Sequence, residues 1–322
     1  MIVVTGGAGF IGSCIVACLN EMGHEDLIIV DHLEEGSTKQ ANLADKKYLE
    51  YFDKADFLER VLQDNLDPSI NCVIHMGACS STTLDDVQYY QKNNYEYSCH
   101  LAQWVLAHQA RFIYASSAAT YGDGSLGYSD EDLNTRRLKP LNLYGDSKQK
   151  FDLWVLDNGM EDRVVGLKFF NVFGPNEYHK GDMRSVVAKT YAAVKEEGKI
   201  SLFKSYREAY ANGEQKRDFI YVKDAVEIVK FFFEHPEVNG IYNAGTGESR
   251  SWNDLAKAIF AAVECDPDIE YIDMPEGLNE KYQYFTQAET IKLRNSGYSK
   301  PFTSLEDAVK DYSRYLDTNG HI

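Results

Sequence analysis

The chain has 322 residues, 44% apolar and 26% charged, which is ordinary globular usage and excludes a disordered chain. Seven Pro and 23 Gly exclude collagen-like and Pro-rich sequence. The formal net charge of −17, from 33 basic and 50 acidic side chains, disfavours nucleic acid and anionic membrane surfaces, but leaves room for a small anionic ligand in a local basic pocket.

In chain order, Ile2 to Thr5 is a short β-branched run, Gly6 to Gly12 a Gly-rich turn, and Ile11 to Met22 an apolar helix pattern. Leu27 to Val30 is a second buried strand ending at Asp31. This β-α-β unit within about 30 residues predicts a parallel sheet. Further strands are expected at Cys72–His75, Arg111–Ala115 and Val164–Phe169, with helices between them at Asp86–Gln109 and Ser147–Asn158. The fold class is α/β: a Rossmann-type doubly wound parallel sheet with a smaller C-terminal substrate-binding α/β lobe. After about residue 172 the chain turns Tyr- and Lys-rich and poor in strand signals. Strands return at Asp218–Val222 and Ile241–Asn243, around the helix Val226–Glu234. The dinucleotide domain is expected to take 1–171 plus about 217–246, and the substrate lobe about 172–216 plus 247–322.

No apolar run approaches the roughly 18 residues of a membrane span, and the N-terminus lacks a basic leader, so a cytoplasmic protein is expected. Cys14, Cys18, Cys72, Cys79, Cys99 and Cys265 form no zinc spacing. They read as reduced thiols packed as small hydrophobes, with no metal site.

The segment Thr5-Gly-Gly-Ala-Gly-Phe-Ile-Gly12 carries the first chemical signal. Gly6 permits the tight turn, Gly9 lets backbone approach a pyrophosphate, and Gly12 lets the helix pack on the strand. The helix N-terminus offers free N–H groups to phosphate. Asp31, 19 residues after Gly12, is placed to bond the adenosine ribose. Lys39 and Lys54 could instead neutralise a 2′-phosphate, so spacing leaves NADP and NAD both open.

The second signal is Ala115-Ser-Ser-Ala-Ala-Thr-Tyr-Gly122 after a strand, then Tyr144-Gly-Asp-Ser-Lys148 on a helix. Tyr-x-x-x-Lys puts both side chains on one face. The Lys148 ammonium would lower the Tyr144 phenol toward neutrality, and Ser117 could hold the substrate oxygen whose proton Tyr144 takes.

With these motifs the chain resembles the extended short-chain dehydrogenase/reductases. More narrowly it resembles the nucleotide-sugar 6-epimerases acting on ADP-heptose in lipopolysaccharide core synthesis. The narrower likeness rests on His75-Met-Gly-Ala-Cys-Ser-Ser-Thr-Thr83, Asn93-Asn94-Tyr95, Pro140–Tyr144, Phe170–Pro175, His179-Lys180-Gly181, Lys216–Val222 and Tyr282–Gln287. It implies transient oxidation and reduction at the sugar C6 with a bound NADP, Tyr144 and Lys180 serving the two faces. It also implies cofactor contacts from Gly6, Gly9, Phe10, Ile11, Gly12, Asp31, His32, Lys39, Lys54, Met76, Gly77, Ala78, Cys79, Ser80, Asn93, Lys148, Val172 and Lys180. Asn171, Asp182, Lys189, Phe203, Lys204, Ser205, Tyr206, Arg217 and Tyr282 are implied to line the sugar-nucleotide site. A homo-oligomer, usually a pentamer, belongs to the same resemblance. The alternatives are another nucleotide-sugar epimerase, such as a UDP-hexose 4-epimerase, which would leave Lys180 without a role, and a non-catalytic NADP-binding sensor, which would not need the Tyr144–Lys148 pair.

Overall fold

The computed structural model describes every residue except Glu35, Thr83 and 278–281. Thr83, the last residue of the motif that begins at His75, therefore lies outside the described residues. Strands β1 (Ile2–Thr5), β2 (Leu27–Asp31), β3 (Glu50–Asp53), β4 (Cys72–His75), β5 (Arg111–Ser117), β6 (Val164–Phe169) and β10 (Gly240–Ala244) form one parallel sheet of order β10-β6-β5-β4-β1-β2-β3.

The β-branched runs predict this sheet well because both of its faces are covered. Alternate residues divide cleanly between two cores. Val4, Ile29, Ile74, Ile113 and Leu167 face α1 (Phe10–Glu21) and α8 (Val222–Glu234). Val3, Ile28, Val73, Phe112 and Val164 face α2 (Lys54–Leu62), α4 (Tyr97–Ala107) and α6 (Leu143–Asp157). β1 and β4 are neighbours although two strands separate them in sequence, so the chain reverses its winding between them. In open α/β sheets a crevice for ligands opens at that reversal, beyond the carboxyl ends of the strands.

The later elements cap that edge. β7 (Asn171–Phe173), β9 (Lys216–Tyr221) and β11 (Ser249–Ser251) make a three-stranded sheet, and β8 (Ile200–Phe203) pairs with β12 (Ile269–Ile272). The strand expected at Asp218–Val222 is thus β9, which starts two residues earlier and ends one residue earlier, and it joins β7 and β11 rather than the large sheet. α7 (Val186–Glu197), α9 (Trp252–Ala262) and the last helix, Leu305–Thr318, pack behind these strands.

The helix expected over 86–109 is interrupted. α3 (Val87–Tyr90) runs into a π-helical stretch, Gln91–Glu96, before α4. α6 begins earlier than expected, because Asn142 caps it by accepting from the Gly145 amide at 2.8 Å. Tyr144 therefore stands in its first turn. A short helix, α5 (Asp132–Thr135), precedes it. Among the described residues, no helix is long and apolar enough to cross a membrane.

Candidate active site

The glycine loop is built for close approach. Gly6 has φ +66°, and a Cβ there would meet the Gly77 amide nitrogen at 2.7 Å. A Cβ on Gly12 would lie 2.0 Å from the Gly6 carbonyl oxygen, so no larger residue fits. Gly9 caps α1 with no side chain, leaving the helix amides open toward the crevice. Asp31, at the carboxyl end of β2, is buried and accepts from the Ala8 amide at 2.9 Å and the His32 amide at 2.7 Å. This cradle suits the pyrophosphate and ribose of a dinucleotide.

Two adjoining clefts extend from the cradle. The smaller, about 330 Å³, is lined by Asp31, His32, Lys39, Lys54, Gly77, Ala78, Cys79 and Asn93 among others. Lys39 is ion-paired with Asp31, and Lys54 donates to Asn93 Oδ1 at 3.0 Å. His32 is turned to Asp53, 2.8 Å away. The larger cleft, about 560 Å³, is lined by Gly6, Gly9, Phe10, Ile11, Gly12, Met76, Ser80, Ser117, Tyr144, Lys148, Asn171, Val172, Lys180, Asp182 and Lys189. The structure therefore gathers every expected cofactor residue, and all the expected acid and base groups, along one continuous opening.

At the centre of the larger cleft, Ser117 ends β5 and hydrogen-bonds the Tyr144 phenol. Lys148 is buried, and its ammonium donates to the Ala115 carbonyl at 2.7 Å. Burial brings the Lys148 pKa down to about 8. The expected lowering of Tyr144 by Lys148 does not occur in this geometry. Burial raises the phenol above its usual 10, and the Ser117 hydrogen bond is what opposes the rise. Lys180 approaches from the turn Tyr178–Met183, with its ammonium 5.2 Å from the centre of the Phe10 ring. Burial lowers its pKa as well, which makes it a better proton carrier near neutrality than a surface lysine.

The remaining expected residues stand apart from the clefts. Arg217 is buried on β9, and among the described residues no carboxylate pairs with it. Its guanidinium lies 5.1 Å from the Tyr282 ring and 5.7 Å from that of Trp252, which lines the larger cleft. Phe203 ends β8, and Lys204, Ser205 and Tyr206 follow it. Lys204 pairs with Asp273 at 3.2 Å, and the Tyr206 amide donates to the Tyr284 hydroxyl at 3.0 Å. Tyr284 in turn stacks edge-on against Tyr282. A chain of aromatic contacts thus links this outer strip to the cleft wall.

Sequence reasoning did not single out several residues here. Trp252 and Arg184 line the larger cleft and Tyr89 the smaller, while Thr82 and His179, named before only as members of motifs, line the larger and the smaller cleft respectively. Beneath the cleft, Asp152 accepts from Lys168 at 2.6 Å, Ser116 at 2.7 Å and Tyr114 at 3.0 Å, with Lys168 and Asp152 both fully buried. The position of Asp152, four residues after Lys148, was a signal available in the sequence.

The chain matches the NAD dependent epimerase/dehydratase family over residues 2–245 and belongs to it. It is therefore an enzyme of a nicotinamide-dependent class. Among curated relatives it is 54% identical over 314 residues to an ADP-L-glycero-D-manno-heptose-6-epimerase of Nitratidesulfovibrio vulgaris (strain DP4), covering 98% of this chain and 97% of that one. Among solved structures, the Helicobacter pylori ADP-L-glycero-D-manno-heptose-6-epimerase superposes with a TM-score of 0.81 at 26% identity, covering 98% and 96% of the two chains. A UDP-N-acetylglucosamine 4-epimerase from Methanobrevibacter ruminantium also reaches 0.81 at 26% identity, covering 99% and 98%. The fold alone thus does not separate the two kinds of epimerase, and the 54% identity is to a relative named for the heptose reaction.

Proposed function

We propose that the chain interconverts ADP-D-glycero- and ADP-L-glycero-D-manno-heptose at C6, as an isomerase of lipopolysaccharide core heptose synthesis. One observation carries the reading: two proton-transfer groups of different chemistry, Tyr144 and Lys180, enter one cleft from different elements beyond a dinucleotide cradle. Inverting an unactivated carbinol requires hydride to leave one face and return to the other. A nicotinamide cofactor held by the Gly6–Gly12 loop would supply the acceptor and donor for that hydride. This chain's residues manage the protons. Tyr144 removes the hydroxyl proton on one face, with Ser117 holding the oxygen, and Lys180 serves the opposite face. Lys148, anchored on the Ala115 carbonyl, brings a positive charge to the lining of the same cleft. Arg217, a buried guanidinium with no acidic partner among the described residues, suits the substrate diphosphate, which it can bind through two parallel bonds. Asn171, Asp182 and Lys189 reach the cleft to hold the sugar.

NADP is the form of cofactor that the smaller cleft favours. The Asp31 carboxylate is already taken by Lys39 and two main-chain amides, and Lys39 and Lys54 bring positive charge to the adenosine end. A cytoplasmic homo-oligomer, pentameric by resemblance, completes the proposal, as does the division into a dinucleotide domain and a sugar lobe.

The test is to incubate the purified protein with ADP-D-glycero-D-manno-heptose and follow C6 by NMR. Formation of the L-glycero product without consumption of added NADP supports the reading. A folded, NADP-bound protein that leaves this sugar unchanged refutes it and redirects attention to other nucleotide sugars.

A further inference from the structure

We infer that Asn42 is a positioning residue that couples the dinucleotide cradle to the segment carrying Lys180; the inference rests on the roles proposed above for both. Asn42 lies in the 3-10 turn Thr38–Leu43, three residues after Lys39, and is 1% exposed. Its amide nitrogen donates to the Ala8 carbonyl in the glycine loop at 3.0 Å. The same nitrogen donates to the Asn176 carbonyl at 3.1 Å and lies 3.4 Å from His179 Nδ1. Two carbonyl acceptors fix the orientation of the amide, since only its nitrogen can donate to them. Its oxygen then faces His321 Nδ1 at 2.8 Å, which must carry the proton.

Three separated stretches of chain therefore meet at one side chain: the glycine loop, the Lys180 segment and the segment after the last helix. The second of these is held tightly. The Asn176 side chain donates to Ser13 of α1 at 2.9 Å and accepts from the Ile322 amide at 2.9 Å. One residue on, the Glu177 carboxylate accepts from the Ser185 amide and hydroxyl at 2.6 Å each and from Tyr312 at 3.1 Å. The Lys180 amide closes the turn onto the Glu177 carbonyl at 3.0 Å. A shift of Asn176 relative to Ala8 is thus passed along a rigid turn to Lys180. Asn42 sets that separation, so the loop that holds phosphates and the lysine that moves a proton keep one spacing.

The experiment uses Asn42→Ala, with His321→Ala as a second variant that removes one partner at a less buried position should the first not fold. Fluorescence titration with NADP⁺ gives the dinucleotide affinity. Acetic anhydride labelling of NADP⁺-saturated protein, read by mass spectrometry, gives the accessibility of Lys180 without any turnover. Loss of two buried hydrogen bonds should weaken NADP⁺ binding about tenfold and raise Lys180 labelling several-fold at saturation. At saturating NADP⁺, kcat with ADP-D-glycero-D-manno-heptose should stay about tenfold low with KM unchanged, and the loss should not add to that of Lys180→Met. Unchanged NADP⁺ affinity, or wild-type Lys180 labelling at saturation, overturns the coupling. A wild-type protein inactive on this sugar would refute the functional reading, while binding and labelling still judge Asn42.

Discussion

The Lys148 ammonium is anchored on the main-chain carbonyl of Ala115, 2.7 Å away and two residues before Ser117, which hydrogen-bonds Tyr144. The end of β5 thus supports both members of the pair, the lysine by its backbone and the tyrosine by a side chain.

Because burial brings Lys148 to about 8, its charge is present below that pH and lost above it. Turnover should fall as pH rises from 8 to 9.5. Stability should respond oppositely. The unfolded lysine still binds its proton up to about 10.5, so in this window the unfolded state holds more protons, and the Lys148 contribution to stability rises with pH. Parallel kcat and Tm profiles of wild type and Lys148→Met check both signs, since the variant should lose the stability gain specific to this group.

Tyr144→Phe should lower kcat by about 10²–10⁴-fold, the usual worth of a general acid–base group, with dinucleotide affinity little changed. Steady-state rates beside NADP⁺ titration decide it, and near-normal turnover would remove Tyr144 from the mechanism.

Lys180→Met should also act on kcat, by about two orders of magnitude or more. If the variant raises KM for the sugar nucleotide and spares kcat, Lys180 binds phosphate rather than moving a proton.

Arg217→Ala should weaken the sugar nucleotide by about 10–100-fold, the worth of hydrogen bonds to a charged group, while NADP⁺ affinity holds. Arg217→Lys should recover only part, because an ammonium cannot make the paired contact. Isothermal titration with ADP measures this directly; equal ADP affinity in all three proteins would contradict the assignment.

Lys168→Met strands the Asp152 carboxylate in a fully buried site, and should cost about 3–5 kcal/mol of stability. Adding Asp152→Asn should return much of it, because the buried charge is then gone. Urea denaturation of the three proteins is sufficient, and additive losses would show that the two residues act independently.

Much of this was legible in the sequence because it depends on short-range pattern. Buried β-branched runs such as Leu27–Val30 must be covered on both faces, and Gly6, Gly9 and Gly12 leave few alternatives after a strand. Tyr144 and Lys148 meet because a helix brings i and i+4 together. What escaped depends on long-range pairing. β9 reads as a strand from its own residues, yet its partners β7 and β11 decide which sheet it joins. The Tyr144 phenol was expected to follow its lysine, but its environment is set by tertiary packing around it, and burial prevails. Asp152 and Lys168 lie 16 residues apart, and only the packing of α6 on the sheet shows that they form a pair.

The π-helical stretch Gln91–Glu96 makes this enzyme unusually sensitive to changes in length. Its Asn93 meets Lys54 in the smaller cleft, while Asn94 grips Cys79 through both its amide and carbonyl and reaches Ser147 at 3.0 Å. Adjacent residues on a regular helix point about 100° apart, and a π turn accommodates one extra residue. Deleting a single residue here would restore an ordinary helix and rotate one asparagine away from its partner. In a library of insertions and deletions this stretch should therefore tolerate substitution at the exposed Lys92 and Glu96 but reject every loss of one residue.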